Sequence, residues 1–224
     1  VELNIDTPLY AGDILETDPD GAIGVVLADE TTLAMGGDGR MVLDEMIYDP
    51  GTQEGSLSLV ALKGVYTIVS GMVSKTDPDA MVIDTPVGSI GIRGTQIGLD
   101  FADGENLTVV MMREADGYVG EVFIRNEGGT QVMNEVNQVI FAGAYTRPPV
   151  FMASVDDSDI LRMFETTLVH LPMTTGRAND YTTQEQEGGG ELDAFTTDAG
   201  NAEEDTPPPP EEVIRVGEEE YTPP

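Results

Sequence analysis

The sequence predicts an all-β domain with one C-terminal α-helix and an acidic tail, and three observations lead there. Residues 1–153 hold short runs rich in Val, Ile and Leu, each closed by a cluster of Asp, Gly or Pro, the pattern of short strands joined by tight turns. From Asp156 to Leu171 the apolar residues fall instead at helical spacing. Beyond Met173 apolar runs give way to Thr, Gly, Glu and Pro.

The turn clusters come in regular order: Asp18-Pro19-Asp20-Gly21, Gly36-Gly37-Asp38-Gly39, Asp49-Pro50-Gly51, Asp77-Pro78-Asp79, Ala102-Asp103-Gly104, Ala115-Asp116-Gly117 and Asn126-Glu127-Gly128-Gly129. A separation of about ten residues suits strands of ~5 to 6 residues. Ile23, Val25 and Leu27 alternate with Ala22, Gly24 and Val26, and Tyr118, Val122 and Ile124 alternate with Glu121 and Arg125, so these strands are expected to have one wet face. Val65 to Val69 and Leu107 to Met112 are apolar on both parities, as a strand between two layers would be. The expected architecture is a multi-stranded sandwich, barrel or irregular β-solenoid. The turns are regular but the residues between them do not repeat, which argues against a strict repeat array.

In the helical segment, Ile160, Leu161, Phe164, Leu168 and Leu171 form one stripe. Asp156, Asp157 and Asp159 stand at its start, and Pro172 ends it. Residues 174–224 carry 14 acidic residues against two arginines, with four consecutive prolines from Pro207 to Pro210. Such a composition buries too little apolar surface to collapse. The expected organisation is a β domain over 1–153, a docked helix over 154–173, and a disordered Pro/Gly-rich tail over 174–224.

The whole chain sets 42 acidic residues against 10 basic ones, a formal charge of −32, at 40% hydrophobic content. That is enough apolar residue for one core. It also repels nucleic acid and anionic lipid surfaces, so neither is expected as a partner. No apolar run approaches the ~20 residues of a spanning helix, and membrane insertion by this chain is not expected. With no cysteine, disulfides, thiolate nucleophiles and Cys-ligated zinc are excluded.

Certain residues carry a resemblance. Gly12-Asp13-Ile14-Leu15-Glu16-Thr17, the strand pair Ile23–Leu27 and Thr31–Met35 around Asp29-Glu30, and above all Thr85-Pro86-Val87-Gly88-Ser89-Ile90-Gly91-Ile92-Arg93-Gly94-Thr95 resemble the FecR domain in residue type and order. The resemblance spans roughly Leu9 to Phe101 and continues more weakly to Phe141. It implies a bacterial extracytoplasmic domain, in the periplasm, at the cell surface or secreted, that binds other proteins. The best-known members transmit a signal from an iron-siderophore receptor to a sigma factor. The reading is a non-enzymatic interaction or assembly domain of an exported or surface protein. The alternative is the periplasmic part of a FecR-type signal-transducing regulator.

No catalytic set, cofactor or metal site is expected. The acids sit where Asp is the ordinary turn former, and the lone His170 lies where a helix C-terminus favours a capping or surface role. Gly36–Gly39 lacks the lysine of a phosphate loop. Calcium is not expected as a ligand, because neither Gly36–Gly39 nor Asp156–Asp159 completes a known calcium loop. Thr85, Pro86, Gly91, Ile92, Arg93, Gly94, Thr95, Gly12 and Asp13 are read as structural residues of the family motif. Ile90 and Ile92 share one parity while Ile97, Leu99 and Phe101 share the other, so a bulge or corner is expected at Arg93-Gly94-Thr95. Arg93 is expected to be partly buried, with Asp84 or Asp100 as its partner.

Overall fold

The computed structural model describes residues 3–5, 7–77 and 79–173, together with the backbone of 213–215. The strands are β1 (Ile14–Glu16), β2 (Ile23–Val26), β3 (Thr32–Met35), β4 (Arg40–Asp49) and β5 (Glu54–Val69), followed by a single helical turn, α1 (Val73–Thr76). Next come β6 (Met81–Thr85), β7 (Gly88–Arg93), β8 (Gln96–Phe101), β9 (Leu107–Met112), β10 (Glu121–Asn126), β11 (Gly129–Met133), β12 (Val139–Ala142) and β13 (Val150–Phe151). The helix α2 (Asp157–Val169) and the short strand β14 (Val213–Arg215) complete the set.

The sheet runs β11-β10-β7-β6-β5-β8-β9-β12-β13, with β1, β4, β3 and β2 branching from β5. Along its first half β5 pairs with β4 and, in parallel, with β6; along its second half it pairs with β3 and β8. Between the halves Gly64 takes φ +131°, and a β-carbon there would stand 2.8 Å from Gly39 Cα. Only glycine combines that dihedral with so close a backbone approach. One strand thus serves two layers: β1, β4, β6, β7, β10 and β11 on one side, and β2, β3, β8, β9, β12 and β13 on the other. β11 at one end of this path and β12 next to the other end come close together, so the sheet nearly closes into a barrel rather than stacking as a solenoid. Side chains from both layers fill the interior, among them Leu33, Leu59, Tyr66, Ile83, Leu99 and Phe101.

The helix sits where its stripe predicts. Asp156 caps it, its side chain accepting the Asp159 N–H at 2.9 Å. Ile160, Phe164 and Leu168 pack against Val110, Met112 and Val139, and Leu171 against Ala34 and Val69. Two strand glycines make room for it. A β-carbon at Gly98 would lie 2.5 Å from the Phe164 ring, and one at Gly24 would lie 2.4 Å from the His170 carbonyl oxygen. The Gly24 side of β2 is therefore covered by the end of α2 rather than wet as its alternation suggests. Tyr118 departs too: it lies outside β10 and is 55% exposed. The expectation for 174–224 falls outside the described residues, apart from the backbone of Val213–Arg215, a strand parallel to β2.

Candidate functional site at the Arg93 corner

The parity change along Ile90–Phe101 is resolved by a corner. Ile90 and Ile92 are fully buried in β7, Ile97, Leu99 and Phe101 in β8, and the chain passes from one layer to the other between them. Gly94 provides the turn with φ +64°, a left-handed conformation that costs glycine little. Thr95 then fixes the corner to the end of β5. Its N–H donates to Ser70 Oγ at 2.9 Å, its Oγ1 donates to the Met112 carbonyl at 3.1 Å, and its own carbonyl accepts the Ser70 N–H at 3.1 Å.

Arg93, the last residue of β7, is directed outward, with 35% of its side chain exposed. Nη2 donates to Asp79 Oδ1 at 2.8 Å and Nη1 donates to Glu121 Oε1; Glu121 is its cross-strand neighbour in β10. The Asp79 hydrogen bond, opposed by burial and aided by the charges of Asp79 and Glu121, holds the guanidinium pKa above its ordinary value. The partners expected from sequence are engaged elsewhere: Asp84 accepts the Ser89 hydroxyl, and Asp100 accepts the Ala102 N–H at 3.1 Å. Flanking position did not choose the partner. The β7–β10 register did, and it joins residues 28 apart in sequence.

That register builds an outward-facing row. Gly91 lies opposite Phe123, and Val132 of β11 lies opposite Phe123 on its other side. The ring covers Gly91, and a β-carbon there would meet Phe123 Cε1 at 2.0 Å. Two guanidinium groups flank the ring, Arg93 at 5.4 Å and Arg125 at 5.1 Å from its centroid, both within cation–π range. Arg125 is exposed, and no carboxylate among the described residues pairs with it. Val132 is 42% exposed. Sequence reading missed Phe123, and the aromatic residue opposite a strand glycine was the available signal.

Beside the corner, a β-carbon at Gly94 would lie 3.7 Å from both Lys75 Cγ and Tyr118 Cε1. Glu114 is buried there, with Oε2 3.7 Å from Lys75 Nζ and no partner for Oε1. The other motif residues serve turns. Thr85 Oγ1 donates to the Gly88 carbonyl at 2.7 Å and accepts the Gly88 N–H at 3.1 Å, closing the Pro86-Val87 hairpin. Gly12, at φ +91°, and Asp13, whose Oδ2 accepts the Tyr10 N–H at 2.8 Å, shape the entry to β1. The structure therefore places Gly12 and Asp13, Thr85 and Pro86, and Arg93 to Thr95 in three different turns.

The acids of the turn clusters accept local backbone N–H groups: Asp49 from Gly51, Asp77 from Asp79, Asp103 from Glu105 and Asn106, and Asp116 from Tyr118. Among the described residues, no three His, Cys, Asp or Glu side chains converge as metal ligands, and no helix is long and apolar enough to cross a membrane.

Two crystal structures from Parabacteroides distasonis, each described as an anti-sigma factor, at 2.50 and 1.65 Å resolution, are similar to this chain at 10% identity and a TM-score of 0.49. The alignment covers 63% of this chain and 60% of the first structure, and 79% of this chain and 92% of the second. No curated protein matches the chain. The family model described as FecR protein matches residues 13–114, which takes in the whole Thr85–Thr95 element and the corner. Over residues 13–114 the chain is similar to the FecR family.

Proposed function

We propose that this chain is a non-enzymatic module that binds another protein outside the cytoplasm, through the outer face of β7, β10 and β11. The observation that carries the reading is the row Arg93, Phe123, Arg125. An aromatic ring between two arginines, next to the exposed Val132, has the composition of an interface anchor. On a chain of charge −32, Arg125 has no carboxylate partner among the described residues, and its guanidinium can meet a carboxylate on the partner. The family match over residues 13–114 supports the same class, because protein binding is what the FecR resemblance implies. That match also favours the second reading, the periplasmic part of a signal-transducing regulator.

The test uses the full chain as bait in bacterial envelope extract, followed by direct binding of any captured protein after purification. Phe123→Ala and Arg125→Glu are each expected to weaken that binding about 10-fold or more while leaving the urea midpoint of Arg125→Glu close to that of the parent. Equal binding by the parent and both variants removes this face from the interaction. A captured protein that is itself a receptor or sigma-factor regulator favours the second reading.

A further inference from the structure

Among residues 3–173, β2 has one sheet neighbour, β3. Its outer edge would present a row of unpaired N–H and C=O groups, a template for any extended chain. In the structure that edge is filled: Val213, Ile214 and Arg215 lie parallel to β2, opposite Gly24, Val25 and Val26. The sequence singles out the same segment independently. Within 174–224 the only adjacent pair of β-branched aliphatic residues is Val213-Ile214, preceded by Pro207 to Pro210 and Glu211-Glu212 and followed by Gly217 and three glutamates. Val and Ile are strong strand formers, and the flanking acids and prolines disfavour extension of the strand on either side. Reach is no obstacle. The 39 intervening residues, 174 to 212, could span on the order of 120 Å if extended.

We infer that the outer edge of β2 is a strand-acceptor site whose resident occupant is Val213–Arg215 of the same chain. The inference deepens the protein-binding reading: a partner recognised here is one that offers an extended segment with adjacent β-branched aliphatic residues, adding to the sheet in parallel and displacing the internal strand. Recognition of this kind draws affinity from main-chain hydrogen bonds and selectivity from alternate side chains. Because the resident strand is tethered, a competitor must overcome its high effective concentration. The tail thereby sets a threshold for binding at this edge. The edge also adjoins the end of α2, since Gly24 lies against the His170 carbonyl, so pairing here is coupled to a packed part of the fold.

The experiment is amide hydrogen exchange on the full chain, read on peptides covering Ile23–Val26. A double variant, Val213→Pro with Ile214→Pro, removes two N–H donors and the extended geometry from the resident strand, and Tyr221→Pro serves as the control. The double variant is expected to exchange about 10-fold faster over Ile23–Val26, with Thr32–Met35 unchanged and the control like the parent. A synthetic peptide of residues 209–218 added to the double variant should restore protection saturably. Equal protection in the parent and the double variant overturns the assignment. So does protection that falls on dilution together with a dimeric mass, which would give the strand to a second copy. Loss of protection with no capture of any protein in the envelope experiment would uphold the resident strand and sink the interaction reading, so the two fail separately.

Discussion

Gly91 and Phe123 face each other directly across β7 and β10, and the phenyl ring occupies the space that a β-carbon on Gly91 would need. The glycine of the family motif is thus explained by packing on the outer face, not by an unusual backbone. Gly91→Ala is expected to cost about 1 to 3 kcal/mol by driving the ring off its seat. In a Phe123→Ala background the same change should cost little, and urea midpoints of the four proteins measure the coupling. An additive pair would mean that ring and glycine do not compete for the space.

Arg93 bridges Asp79 and Glu121 at the surface, so its contribution is that of a screened network. Arg93→Ala is expected to destabilise by about 1 kcal/mol, and Arg93→Lys to recover only part, because one ammonium cannot reproduce the fork that meets both carboxylates. A loss above about 3 kcal/mol in the urea midpoint would indicate a buried partner that this geometry does not contain.

Asp157 joins the start of α2 to β9 through Arg113, with Nη2 to Oδ2 at 2.9 Å, and accepts the Asn137 amide. The Arg113 hydrogen bond, against some burial, lowers the Asp157 pKa below its ordinary 3.8. A depressed carboxylate contributes stability that is complete above the unfolded value and lost as pH falls through the folded one. Stability should therefore decline below about pH 4. Asp157→Asn is expected to cost about 1 kcal/mol at pH 7 and to flatten that acid limb. Thermal melts from pH 7 to pH 2 provide the check.

Tyr66 is fully buried, and its hydroxyl is shared between the Arg40 carbonyl, at 2.8 Å, and the Lys63 carbonyl. Burial raises its pKa well above the ordinary 10.0, outweighing both carbonyl contacts. For a group raised on folding, stability is intact below the unfolded value and drains as pH climbs past it. Tyr66→Phe is expected to lose about 1 to 2 kcal/mol at neutral pH by leaving the carbonyls short of a donor. It should also be less sensitive than the parent above about pH 10. A parallel alkaline decline in both proteins would assign the effect to other groups.

The fold class, the helix and the corner were legible because each is written in local periodicity. Alternation gave the strands, the stripe Ile160 to Leu171 gave the helix, and the parity change around Gly94 gave the corner. Pairing between distant strands left no such trace. Asp84 and Asp100 looked like partners for Arg93 because they are near in sequence, whereas β10 brings in Glu121. Gly24 read as one side of a wet strand because nothing local announces that the carbonyl of His170 will rest on it. Phe123 was not singled out at all, because only the β7–β10 register sets it over Gly91. Asp29 read as a plain turn residue, yet it is fully buried, accepting the Thr31 hydroxyl at 2.8 Å and the Val73 N–H at 3.3 Å, and so it joins the β2–β3 turn to α1.

The passage of β5 through both layers governs how the molecule comes apart. Its 16 residues hold ladders to β3, β4, β6 and β8, and Thr32 meets Val69 across one of them. Neither layer can open without stripping hydrogen bonds from a strand that the other layer also needs. Heat should therefore release both in one calorimetric transition. Assembly has to wait for closures between segments far apart along the chain, which places this barrel among slow folders. A nascent chain that has emerged only as far as β5 holds the central strand with β6 and β8 still missing, and during synthesis that is the interval in which its apolar edges stand open to other molecules.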